Sequence, residues 1–378
     1  MRRTSLLTMA AFLSAAVAAP GSAQEDYAPL TWSGYTLDNQ GPADRVSVRE
    51  VAGTEVLTVT RTTVMLDGAE FSEGVIEFDI ALDDKRGFGG LLWHANGPDT
   101  EYFYLRQHKS GLPDAGQYTP IRNGLTGWQL YTDQNAIAPF SFTQEGWNRF
   151  KMVVANDQAD IFFNGSPTPV LHVPDLAADL GSGGLGFRAS GPNGEIRIAN
   201  LSVRPLAAGE GIVGTPKSDR RAPAGTIERW TVSERFAEEA IADATLLPAQ
   251  LTELGQLGTV GVEPFGIADI TRLTGPDDGL DTVLVSTKIT ADQARRAKLN
   301  FGYSDRVRLF LNGELVFEGS AGFRSRDFFF LGTVVFEDAI MLNLREGENM
   351  LTAAVSETFG GWGFAGAIAD RTGLTIEP

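Results

Sequence analysis

The chain has 378 residues, a formal charge of −17 and no cysteine. Without cysteine there is no disulfide, no thiolate metal site and no cysteine nucleophile. An acidic balance lacks the basic footprint that phosphate contacts need, so nucleic acid and anionic membrane surfaces are poor partners. The charge reads first as solubility. No cofactor is expected, with calcium held structurally by acidic loops as a secondary possibility.

The chain opens on Arg2 and Arg3, an apolar stretch over 6–19, and Gly21-Ser22-Ala23. This is the pattern of an export signal over 1–23, cleaved near Gln24, and a retained anchor is the alternative. No later stretch approaches the ~20 apolar residues of a membrane helix. The expectation is an exported protein, periplasmic or extracellular, with no membrane insertion after cleavage and an oligomeric state left open.

The remaining length predicts two domains at roughly 150 residues each. The 43 glycines and the 10% aromatic content, with short alternating runs, predict an all-β chain. The expected fold is two β-sandwich (jelly-roll) domains in tandem, 27–205 and 226–378, joined by a linker at 206–225 that is poor in large apolar residues. In the first, the run 75–82 puts Ile76, Phe78, Ile80 and Leu82 on one face and Glu77 and Asp79 on the other. Runs 88–94 and 102–107 flank Asn96-Gly97-Pro98-Asp99, a hairpin turn. Asn156-Asp157-Gln158 marks a second hairpin and Ser190-Gly191-Pro192-Asn193-Gly194 a third. In the second domain, Asn312-Gly313 is a two-residue hairpin signal, Glu346-Gly347-Glu348 marks a further turn, and 233–242 and 291–296 read as short helices.

The first hairpin carries the candidate site. With the turn centred on Gly97-Pro98, Trp93 faces Tyr102, Leu91 faces Tyr104 and Gly89 faces Arg106. Trp93, Tyr102, Tyr104, Arg106 and His108 then share one face, and Leu92, Phe103 and Leu105 the core face. Gln117, Tyr118 and Trp128, in and after the glycine-rich segment that follows, extend the polar and aromatic set. Ordinary strand packing is the competing reading, and a bulge in either strand would invert the assignment. His94 and His108 as a zinc pair lack a third ligand. Glu77 and Asp79 share a face as a glycosidase pair would, but Leu82 stands where a three-acid glucanase strand needs its third acid. There is no GxSxG, P-loop or HExxH. The arginine and aspartate groups around 303–306 and 324–327 read as an internal ionic network or a ligand site. Trp362, between glycines, reads as a sugar platform or as a plug in the sandwich end.

Residues 74–82, the glycine-rich 87–93, Trp147-Asn148-Arg149-Phe150-Lys151, Phe163-Asn164-Gly165 and Gly183-Gly184-Leu185-Gly186-Phe187 resemble the concanavalin-A-like/laminin-G superfamily, including the 3-keto-disaccharide-hydrolase-like exported domains. Asp305-Arg306-Val307, Phe310-Leu311-Asn312-Gly313 and residues 344–349 resemble a galactose-binding-like jelly roll of the kind appended to glycosidases. The resemblance implies fold more than activity, because that superfamily holds lectins, hydrolases, lyases and adhesion modules, and no catalytic set carries over. With the aromatic and basic face, it implies a non-catalytic protein contacting poly- or oligosaccharide. The alternatives are a hydrolase or lyase acting on acidic sugars, with Arg106, His108 and Lys109 recognising a uronate, and an envelope structural or protein-interaction module.

Overall fold

A computed structural model describes residues 30–144, 146–326 and 331–378. The expected export signal, the start of the first predicted domain, and Asp327 with the Phe328-Phe329-Phe330 run lie outside the described residues. The regular structure of the described residues is nearly all antiparallel strand, folded as two sandwiches.

The first sandwich pairs a nine-stranded sheet with a seven-stranded one. The central part of the larger sheet runs in the order Thr63–Phe71, Gly183–Ser190, Phe88–Asn96, Asp99–Arg106, Gly116–Arg122. The smaller is built around Trp147–Ala155, Gly74–Ala81 and Glu195–Arg204. Ile76, Phe78, Ile80 and Leu82 are buried in the core between the sheets, as their period of two predicts. Glu77 and Asp79 point the other way and pair with Arg149 at 3.0 and 3.3 Å, so they form a solvated strand face. The positive φ at Asn156, Asp157, Asn312 and Gly313 is what two-residue hairpin turns demand.

The second sandwich packs a seven-stranded sheet against a four-stranded one over Trp230, Phe301, Tyr303, Trp362 and Phe364. Trp362 is wholly buried and donates its indole N–H to the Val355 carbonyl at 3.0 Å. It plugs the core and offers no platform.

Two expectations are corrected here. The turn after Ser190 is not a hairpin: Gly183–Ser190 belongs to the nine-stranded sheet and Glu195–Arg204 to the seven-stranded one, so the chain crosses between layers there. Residues 291–296 are not helical, because Thr282–Ala291 and Arg295–Ser304 are strands of different sheets joined by a tight turn. Residues 233–242 hold one helical turn, Glu238–Ile241.

The two sandwiches meet directly. Ile267, Val334 and Ala365 of the second join the apolar core cluster of the first, which also contains Leu130 and Tyr131. Residues 206–225 hold no helix or strand and lie along the first sandwich. The buried Asp160 accepts from the Val213 and Gly214 amides at 2.7 and 2.8 Å and holds His172 Nδ1 at 2.7 Å. A Cβ at Gly214 would collide with Asp160 and His172, so glycine lets the backbone come this close.

Glu101 is buried and accepts from Tyr118 Oη at 2.6 Å and the Ala178 amide at 3.0 Å. Burial pushes its carboxyl up to about 7. Below pH 4.5 both folded and unfolded chains hold this proton. Between 4.5 and 7 the unfolded chain releases it and the folded chain keeps it, so the stability that Glu101 contributes is lost as pH rises through that window, on the order of 3 kcal/mol. Glu101→Gln should flatten that part of the stability profile in urea denaturation at successive pH values. An unchanged slope in the variant would assign the pH dependence elsewhere.

Candidate functional site

A cavity of about 410 Å³ opens on the outer face of the nine-stranded sheet, against the second sandwich. Tyr102, Tyr104 and Arg106 line it from the strand Asp99–Arg106, with Phe88 and Arg188 from neighbouring strands. The helical turn Gln107–Lys109 adds His108 and Lys109, and loops add Asp114 and Trp128. Phe323, Arg324, Leu331 and Phe359 of the second sandwich also line it.

The expected grouping of Tyr102, Tyr104, Arg106 and His108 is present, but Trp93 is not part of it. Trp93 pairs with Glu101 and Asn96 with Asp99, so His94 and Ala95 together oppose Thr100. This is a β-bulge, with His94 at φ 54°. It turns Leu91 and Trp93 inward, with Phe103 and Leu105, and sends Leu92 outward beneath Tyr102 and Tyr104. Gly90, not Leu91, stands opposite Tyr104, and Phe88, not Gly89, stands opposite Arg106. Tyr118 is also a core residue, committed to Glu101. Gln117 is fully buried and supports the site from below. Trp128 lines the cavity as expected.

The floor is held by a closed set of hydrogen bonds. Arg106 donates to Tyr104 Oη at 2.8 Å, to Gln117 Oε1, and to the Asp114 carbonyl at 2.7 Å. Tyr104 Oη donates to Gln117 Oε1 at 2.9 Å, and Gln117 Nε2 donates to the carbonyls of Trp128 and Tyr131 at 3.0 and 2.8 Å. Asp114 pairs with Lys109 at 2.5 Å. Every polar group of Gln117 is therefore used, which fixes the Arg106 fork and the Trp128 backbone relative to one another. Tyr102 and Tyr104 stack at 5.0 Å between centroids. Trp128 meets Phe323 edge-on at 6.2 Å and lies tilted against Phe359 at 6.3 Å, so the aromatic wall spans both sandwiches.

Two buried polar atoms beside this cavity have no partner among the described residues. Tyr102 is 3% exposed and its hydroxyl has no hydrogen bond. His108 Nδ1 is likewise buried without one. Burial, then the nearby Lys109, Arg86 and Arg106, lowers the His108 pKa, so the ring is neutral at neutral pH. Burial raises the phenols of Tyr102 and Tyr104, which stay protonated and able to donate. Buried polar atoms are ordinarily satisfied, so an unpartnered hydroxyl beside a cavity marks a missing hydrogen-bond partner.

Gly90 allows the neighbouring strands to close beneath this floor. A Cβ there would lie 2.0 Å from the Phe103 carbonyl oxygen, a backbone atom that cannot swing away. Gly90→Ala should cost about 1–3 kcal/mol in denaturant titration. A neutral result would mean that the strand pair tolerates separation.

No family model matches this chain, and no curated protein matches it. The solved structures it resembles include a carbohydrate binding module, CBM66, from Bacillus subtilis, at 12% identity and a TM-score of 0.32, covering 44% of this chain and 92% of that one. A beta-glucanase from Bacillus licheniformis matches at 11% identity and a TM-score of 0.33, covering 47% of this chain and 95% of that one. A laminarinase from Flavobacterium sp. UMI-01 matches at 15% identity and a TM-score of 0.28, covering 40% and 69%. Their names do not pass to this chain at these identities.

The sequence reading missed Phe88, Arg86, Arg188, Phe323 and Phe359. Arg188 alternates with Phe187, a core residue, and that alternation was a readable signal for an outward arginine. Nothing local to Phe323 or Phe359 points to a wall built with Trp128. The arginines at 306 and 326 are drawn into internal pairs, with Glu238 at 2.8 Å and Asp338 at 2.5 Å. Among the described residues no group of three or more histidine, aspartate or glutamate side chains could hold a metal ion.

Proposed function

We propose that the cavity between the two sandwiches binds a saccharide, and that the protein acts outside the cytoplasm by holding poly- or oligosaccharide without cleaving it. The observation that carries this reading is the buried, unpartnered Tyr102 hydroxyl on an aromatic-walled floor beside a fixed arginine. Sugars need this combination: aromatic faces for the apolar side of the ring and rigid donors for its hydroxyls. The volume falls within the ~300–1,000 Å³ typical of ligand pockets.

The one carboxylate among the described lining residues, Asp114, is engaged by Lys109 and lies 3.9 Å from Arg106 Nε. Glycoside hydrolysis by a carboxylate pair needs a second acid at ~5–5.5 or ~6.5–9.5 Å, which favours binding over that chemistry. A second reading, eliminative cleavage of an acidic sugar, draws on neutral His108 with its unpartnered Nδ1 as the base. Unsaturated product absorbing in the ultraviolet would select it.

Tyr102→Phe removes one hydroxyl and no packing. Calorimetric titration against a panel of neutral and acidic oligosaccharides should show about tenfold weaker binding for this variant. Equal affinity for variant and wild type would remove Tyr102 from the site, and no saccharide binding by wild type would reject the reading.

A further inference from the structure

Arg188, Ser190 and Gly191 line the saccharide cavity and also a second, more open hollow of about 510 Å³ beside it. Gln40, Arg45, Arg61, Thr62 and Thr63 line that second hollow, and no carboxylate among the described residues does. The two depressions therefore adjoin through Arg188. Arg45 and Arg61 line the one, Arg86, Arg106 and Lys109 the other and Arg188 both, with Asp114 as the single opposing carboxylate among the described lining residues. The whole chain has 31 basic against 48 acidic residues, so this concentration of positive charge runs against its composition.

Lys109 is paired with Asp114 and Arg106 is held by Tyr104, Gln117 and the Asp114 carbonyl, but the other four charges are largely uncommitted. The side chains of Arg61, Arg86 and Arg188 make no ion pair or hydrogen bond among the described residues, and the Arg45 guanidinium reaches only the Arg61 carbonyl, at 2.8 Å. Like charges held together without counter-ions repel, and an anion bound among them gains from all at once. Arginine suits carboxylate and sulfate oxygens because its planar fork matches them in pairs. Thr63 and Ser190 add hydroxyls among the lining residues, as an array of sugar hydroxyls would use.

We infer that the two hollows form one groove for an extended anionic polysaccharide, one sugar seated on Tyr102 and Trp128 and the next units running past Arg188 toward Arg61. The inference rests on the saccharide reading of the cavity and adds charge and length to it. Uronates and sulfate esters share the chemistry that this groove recognises.

The test is calorimetric titration of the full chain at low and high salt with four probes: a neutral glucan hexamer, an oligogalacturonate dimer, an oligogalacturonate hexamer and a sulfated galactan hexamer. One of the anionic hexamers should bind about tenfold or more tighter than both the neutral hexamer and the dimer, and salt should weaken it. Arg61 is exposed, so Arg61→Ser should leave the fold intact by circular dichroism. It should weaken the anionic hexamer several-fold and leave the dimer unchanged, whereas Arg188→Ser should weaken both. Preference for the uronate or the sulfated chain identifies which anion the groove takes. Equal binding of neutral and anionic hexamers, or no effect of Arg61→Ser, overturns the groove while leaving the saccharide cavity standing. Absence of binding to all four probes overturns both. Tighter binding of a single-stranded oligonucleotide than of either anionic hexamer overturns the saccharide chemistry of the groove.

Discussion

Asp269→Ala should lower stability by about 3–5 kcal/mol, read as a shift of the denaturant midpoint. Asp269 is 1% exposed and pairs with Arg122 at 2.7 Å, across the junction of the two sandwiches. Tyr131 Oη donates to the same carboxylate oxygen at 3.0 Å, and the Thr271 amide donates to the other at 3.0 Å. Arg122 also lies 3.8 Å from Glu263 and 3.2 Å from Asp179, and Arg272 pairs with both of those acids at 2.7 Å. Removing Asp269 leaves Arg122 buried beside a single buried acid, and Tyr131 Oη, which still accepts from Arg122 at 2.8 Å, loses the acceptor for its own proton. The cost comes from the charge left behind, not from the net worth of the pair, so Arg122→Met with Asp269→Leu should cost less than Asp269→Ala alone. A loss below about 1 kcal/mol for the single variant would show that water reaches Arg122 and that the junction is looser than described. Because Phe323 and Phe359 reach the cavity from the second sandwich, the single variant should also weaken saccharide binding.

Trp128→Ala should abolish that binding while leaving the fold intact, a loss of about 2–4 kcal/mol in affinity or more than thirtyfold. Trp128 is half-buried, and its ring is the centre of the aromatic wall with Phe323 and Phe359. The parts of Trp128 that hold the sheet together are backbone atoms, such as the carbonyl that accepts from Gln117, and these survive the substitution. Calorimetry with the probes above and circular dichroism on the same sample separate the two effects. Unchanged affinity would place the sugar elsewhere.

The fold was readable because it depends on local alternation. Ile76, Phe78 and Ile80 against Glu77 and Asp79 is a period-two pattern that a buried sheet face enforces, and Asn312-Gly313 supplies the positive φ that its turn requires. The candidate site was readable in part. Tyr102, Tyr104 and Arg106 lie on one strand and stay on one face whatever happens to the neighbouring strand. Trp93 was misplaced because the bulge adds one residue between it and the turn, and a single residue exchanges the two faces. His94 at φ 54° is where that happens, and histidine does not announce a positive φ as glycine would. Tyr118 and Gln117 look like adjacent ligand groups in sequence, but they point to opposite sides of their strand, one into the core and one under the floor. The remaining wall could not be read locally, since Phe323 and Phe359 come close to Trp128 only when the second sandwich docks. The crossing at Ser190 shows the same limit: its glycines, proline and asparagine announce a turn, but not which sheet the chain enters next.

On the proposed reading, one sugar sits on Tyr102 between the Arg106 fork and the Trp128 wall. The most direct measurement is a crystal structure of the protein soaked with an oligogalacturonate hexamer. A sugar ring should lie in the cavity, with an oxygen within hydrogen-bond distance of Tyr102 Oη and the chain leaving past Arg188. A hexamer bound on another face, or a cavity closed by side chains with Tyr102 Oη bonded to protein, would contradict it.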